Sequence, residues 1–161
     1  VHWLFVVSVA LFLGGIGFVI AAGRTARDAP PIEDPVAARM GPVGTVKQIM
    51  RGIVGPAATL VFKSVGSRVT AAGIESWAPQ NDAEWEEVGN SAVALAEAGN
   101  LLMMEGRAVD KGEWVKMSQA MIDAAKIVLK ATEEKNAADV FASGEPIYES
   151  CNVCHQRYQR G

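Results

Sequence analysis

The chain has 161 residues, a formal net charge of -3 and a pI near 5.4. That length holds one domain with a short appendage, and the acidic balance leaves no basic surplus for a nucleic-acid partner. Hydrophobic residues make up 50% of the chain, and they are concentrated at its start.

In chain order, the first expected unit is 1–23, a hydrophobic helix. From Trp3 to Ala22 there is no charge, and Ser8 is the one polar side chain. As a helix this stretch matches a hydrocarbon core of about 30 Å. Ala21-Ala22-Gly23 offers the small-residue pattern of a cleaved signal peptide, whereas the length favours a retained membrane anchor. Arg24 and Arg27 follow the segment, which by the positive-inside rule puts the rest of the chain in the cytoplasm. Basic residues upstream of Val1 would reverse that orientation and allow export. The next unit, 24–42, contains Pro30, Pro31, Pro35 and Pro42 and reads as an extended linker.

The remaining unit, 43–161, separates into four amphipathic helical stretches. The first runs from about Thr45 to Ser64, with Val46, Ile49, Met50, Ile53, Ala57, Leu60 and Val61 at helical spacing. Gly55-Pro56 interrupts it and predicts a kink or local break, because proline removes a backbone donor. The loop GSRVTAAGIESWAPQ follows, with some irregular structure expected around Trp77. The second helix starts at Asn81 with Glu84 three residues on. Its stripe is Trp85, Val88, Ala92, Leu95, Ala96, Gly99, Leu102 and Met103, with Gly106 as the stop. The third is capped by Asp110 and carries Trp114, Met117, Met121, Ile122, Ala125, Val128 and Leu129. The fourth spans Ala137 to Tyr158 and is divided near Gly144 and Pro146. Short amphipathic helices are marginal alone in water, so an all-α antiparallel four-helix bundle is expected.

The chain has two cysteines, and both lie in the stretch IYESCNVCHQRYQ. On a helix Cys151, Cys154 and His155 share one face. Two thiols at that spacing suit the two vinyl groups of one haem, and the adjacent histidine then falls under the iron; C-x-x-C-H is the attachment signature of haem c. Other readings fit less well. Structural cysteines do not need the histidine, a thioredoxin-type pair wants a strand-to-helix setting, and structural zinc wants four ligands. A disulfide between Cys151 and Cys154 would close a small strained loop.

The pattern Y-x-x-C-x-x-C-H-x-x-Y, here Tyr148, Cys151, Cys154, His155 and Tyr158, on the last helix resembles the class II cytochromes c. The stretch DAEWEEVGNSAVALAEAGNLLMMEGRAVDKGEW resembles the middle helices of the low-spin branch, and the likeness covers roughly residues 43 to 160. The resemblance implies one covalent haem c and a four-helix bundle, often dimeric through outer helix faces. It implies an electron-transfer role on the periplasmic side of the inner membrane, with redox proteins as partners. No carboxylate pair, nucleophile-base pair or phosphate-binding loop stands out in the sequence, so an enzyme is not expected. It also implies that His155 is one axial ligand and that Met50, in TVKQIMRGIVGPAATLVF, stands where the low-spin branch has its distal methionine. Met50 also reads as ordinary core filler. The high-spin branch, cytochromes c-prime, leaves the distal face open to small gases. Its members often have a basic residue one turn before the distal position, where this chain has Val46. Met40, Met103, Met104, Met117 and Met121 are also candidates in principle, but Met40 lies in the linker or the first turn and the others on the second and third helices, whereas the resemblance implies a distal residue from the first. Arg157 and Arg160 could steer haem propionates or a partner, or be solvated surface charge. Trp77, Trp85 and Trp114 read as packing anchors, and Tyr148 and Tyr158 as packing residues beside the porphyrin edge.

Overall fold

The computed structural model describes residues 41–159, together with Trp3, Val7 and Ser8 of the leading segment. The chain divides into two units, Val1–Arg39 and Met40–Gly161. The expected anchor or signal segment and nearly all of the linker lie outside the described residues. No helix of the described residues is long and apolar enough to cross a membrane.

The second unit is mostly helical. It opens with α1 (Val46–Ile49), passes through a π-helical turn (Met50–Val54) and continues as α2 (Gly55–Ser64). Thr45 caps the start: its hydroxyl accepts the Gln48 N–H at 3.2 Å, while the Thr45 N–H donates to Gln48 Oε1 at 2.9 Å. This reciprocal pair satisfies two of the free donors that every helix start leaves. The break expected at Gly55-Pro56 takes the form of the π-turn. Pro56 has no N–H to give the Gly52 carbonyl and its ring crowds that carbonyl. The helix widens by one residue, and the Gly55 N–H reaches back to the Met50 carbonyl.

The expected irregular loop is instead a hairpin, β1 (Gly66–Thr70) paired antiparallel with β2 (Gly73–Trp77). An isolated two-stranded hairpin is marginal. Here Trp77 pins it: the indole N–H donates to the Lys63 carbonyl at 3.0 Å, and a Cβ on Gly66 would sit 2.3 Å from the indole ring. Trp77 is therefore a hairpin clamp, 44% exposed, and not the helix-packing anchor its size suggested. Arg68 and Glu75 face each other across the strands at 2.6 Å. Gly73 takes a φ of 128° at the turn, a region closed to most side chains.

Next comes α3 (Asp82–Met103), capped as expected by Asn81, whose side chain accepts the Glu84 N–H at 3.0 Å. It leads to α4 (Glu113–Glu133). Asp110 lies ahead of that helix, and its Oδ1 accepts from the N–H groups of Gly112 and Trp114 at 2.8 and 3.0 Å. The last stretch is divided as expected into α5 (Ala137–Ala142) and α6 (Gly144–Tyr158).

The α3–α4 pair makes the most extensive contact between elements, α4 packs next on α6, and α2 packs on α3. Ala92, Leu95, Ala98, Ala125, Val128 and Ile147 are almost fully buried at the centre. Trp114 is 3% exposed, and its indole N–H is satisfied by the Leu102 carbonyl at 2.8 Å. On the first helix Val54 is buried where a regular α-helix would bury Ile53, because the π-turn shifts the register by one residue.

Candidate functional site

The site is built on α6. Ile147 is completely buried and fixes the rotation of this helix against the core. Cys151, Cys154 and His155 follow at four, seven and eight residues, so they emerge on the flank of the same face. Ser150 and Tyr158 settle the helix further. The Ser150 hydroxyl donates to the Ile147 carbonyl at 2.8 Å. Tyr158 packs edge-on against Trp114 with ring centroids 5.0 Å apart, and its hydroxyl donates to Asp110. That bond holds the Asp110 carboxyl below its ordinary value and pushes the Tyr158 phenol up. The Arg157 guanidinium lies 5.6 Å from the Tyr158 ring. Arg160 is outside the described residues.

Cys151, Cys154 and His155 meet Met50 across a single cavity of about 30 Å³ between the first helix, the end of α3, the start of α4 and α6. Val54, Leu102, Met117, Ser118, Met121 and Ser150 complete its wall. Both thiols are free and half-buried, and burial raises both pKa values, which keeps them protonated near neutrality. His155 is exposed on its solvent side and Met50 is half-buried. Three surface grooves of about 470, 680 and 520 Å³ are larger, but none is lined by a cysteine or a histidine.

The four residues singled out from the sequence therefore share one cavity, although Met50 is separated from His155 by most of the domain. Two further thioethers, Met117 and Met121, share it as well; both are ligand candidates in principle in the sequence, and their place on the third helix set them behind Met50. Arg107 was missed. It is 8% exposed, and its guanidinium donates to the carbonyls of Gly44 and Leu101 and to Met104 Sδ. In this way it ties the entry of the first helix to the exit of α3. A lone arginine in a turn gives no sequence signal of such burial.

The donor set fits a c-type haem: two neutral thiols and an imidazole on one helix face, and a thioether opposite. Among the described residues no three His, Cys, Asp or Glu side chains converge closely enough to hold a metal ion. A macrocycle that brings its own four nitrogens asks less of the chain than such a cluster. About 30 Å³ holds little more than one water, so a porphyrin requires the first and last helices to part. These two helices make only slight contact with each other. No family model matches the chain, and no curated protein or solved structure was found similar to it.

Proposed function

We propose that this chain is a monohaem c-type cytochrome of the low-spin class II kind, a four-helix bundle that carries electrons between redox proteins. The observation that supports the reading most is the convergence of the C-x-x-C-H residues and Met50 on one cavity. When bound, haem c supplies a one-electron couple between ferrous and ferric iron. Cys151 and Cys154 would tether it through thioether bonds to its vinyl groups. His155 would offer an imidazole nitrogen on one side and Met50 a thioether on the other. A soft, neutral sulfur donor favours the ferrous state, and the apolar walls at Val54, Leu102 and Met121 act in the same direction by disfavouring extra charge. With His155 and Met50 both given to the haem iron, the chain would offer no open position for a substrate, which would suit electron transfer rather than catalysis.

Covalent haem c is attached outside the cytoplasmic membrane, so the reading includes an exported location on the periplasmic side of a bacterial inner membrane, with 1–23 as anchor or cleaved signal and Arg24 and Arg27 counting against that orientation. An anchor would raise the effective concentration of the domain near membrane-bound redox partners. Absorption spectra of the oxidised and reduced protein test the reading. A low-spin spectrum with a weak methionine-to-iron band when oxidised, and slow carbon monoxide binding when reduced, are expected. A high-spin spectrum with rapid carbon monoxide binding would instead assign the chain to the open, gas-binding kind.

A further inference from the structure

The haem reading uses one of the three methionines at the cavity. Met117 and Met121 stand one turn apart on α4 and line the same space. With Met50 from the first helix and Cys151 and Cys154 from α6, five sulfur-bearing side chains from three helices border about 30 Å³. The whole chain has two cysteines and six methionines, so both cysteines and half of the methionines gather here. Packing alone does not call for this. Among the described residues the buried core is built of Ala, Val, Leu, Ile and Trp, and Met121 is its one methionine.

Size and donor type select an occupant. A space of about 30 Å³ suits a single ion or one water and no organic molecule. No Asp or Glu lines it, so calcium and magnesium find none of the carboxylates they prefer. Structural zinc wants four Cys, His or carboxylate ligands, and among the described residues not even three converge. An iron–sulfur cluster wants four cysteines, and the chain has two. Thioethers enter none of those sets, but for a soft cation they are ligands. Thiol and thioether sulfur together select Cu(I). A monovalent ion also brings less charge into apolar surroundings than a divalent one.

We propose that the haem-free chain binds one Cu(I) ion in this cavity, held by thiol sulfur from α6 and thioether sulfur from α4 and the first helix. The inference goes beyond the haem reading and does not depend on it. Binding leaves the oxidation state of the metal unchanged, and each thiol that joins gives its proton to water. The ion fits the cavity with the helices closed, whereas a porphyrin requires them to part. Thiols held by Cu(I) are not free to add to haem vinyl groups, so metal and haem exclude each other on this chain.

The test uses the full chain made without haem, in detergent, with its thiols reduced and oxygen excluded. Cu(I) is added in competition with a coloured chelator of known affinity, and far-ultraviolet circular dichroism is recorded on every variant. One Cu(I) per chain is expected. Met117→Leu with Met121→Leu keeps the volume and removes two sulfurs, and affinity should fall about tenfold. Met50→Leu, at a half-buried position, should show a similar fall and serves if the double variant does not fold. Met103→Leu, outside the cavity lining, should bind as the wild type does. No uptake of Cu(I) by the wild type overturns the inference. Wild-type affinity in the Met117, Met121 and Met50 variants overturns it too, because the C-x-x-C pair alone would then account for binding. Neither result bears on the haem reading, which covalent haem content measures separately. A chain that binds Cu(I) as expected but never acquires haem would overturn the cytochrome reading and leave this one standing.

Discussion

Two seams of this domain are built on opposite rules. Between α3 and α4 the helices lie close along their length, because small residues face larger ones. Gly99 is so tight against α4 that a Cβ would fall 2.4 Å from Ile122 Cγ1 and 3.0 Å from the Ser118 carbonyl. Ala92, Leu95, Ala98, Ala125 and Val128 fill the rest with almost no exposure. Between the first helix and α6 the contact is slight, the helix is widened at Met50, and a cavity lined by sulfur and imidazole remains. The first seam supplies stability. The second leaves apolar burial incomplete, and its lining gathers thiol, thioether and imidazole side chains. Sites need room and deformability, and those come from the less densely packed side of a fold.

Substitutions should separate the two seams. The largest expected effect is at the loose seam. Replacing Cys151 and Cys154 together by alanine should abolish covalent haem, measured by haem staining after denaturing electrophoresis, because no other thiol exists in the chain. At the tight seam, Leu95→Ala should cost about 2–5 kcal/mol of unfolding free energy in denaturant titration, since it leaves a cavity among fully buried neighbours. The molecules that still fold should carry haem at the normal ratio. If Leu95→Ala removed haem from folded molecules, the separation of roles would fail.

Arg107→Ala comes next. It removes the donor of the Gly44 carbonyl, while the Leu101 carbonyl keeps a long bond from the Met104 N–H at 3.4 Å, and should cost about 1–3 kcal/mol by the same titration. Smallest is Tyr158→Phe, which removes the bond to Asp110 and should lower the thermal midpoint only slightly near neutral pH. Its signature is the pH dependence. The Asp110 carboxyl is depressed in the folded protein, so its contribution is present above the ordinary value of 3.8 and fades as pH falls through the lower folded value. The Tyr158 phenol is raised, so its contribution is present below the ordinary value of 10.0 and fades as pH rises through the higher folded value. The difference between wild type and Tyr158→Phe should therefore narrow at both extremes. A difference that stays constant across that range would contradict the Asp110 link.

Much of this was legible in the sequence, for physical reasons that differ by element. The Asn81 cap, the stripe from Trp85 to Leu102 and the division near Gly144 follow from helix periodicity and backbone chemistry, which act locally. The grouping of Cys151, Cys154 and His155 on one helix face needed only the 3.6-residue repeat. The hairpin at Gly66–Trp77 was not legible because its strands are exposed on both faces and lack the alternation that marks a half-buried strand. Trp77 reads as a core residue until its neighbour Gly66 is seen beneath the ring. Proline at position 56 announced a break, but which residue would be taken into the wider turn depended on the competing burial of Ile49 and Val54. The sharing of one cavity by Met50, Met117 and Met121 is a tertiary fact, invisible to any stripe.

The central claim is that Cys151 and Cys154 hold haem covalently. The most direct measurement is an alkaline pyridine haemochrome spectrum of the protein after extraction with acidified acetone. The account predicts that the haem stays with the chain, one per molecule, with the absorption of a haem bound by two thioethers. Haem that extracts freely, or a chain with two intact free thiols and no haem, would contradict it.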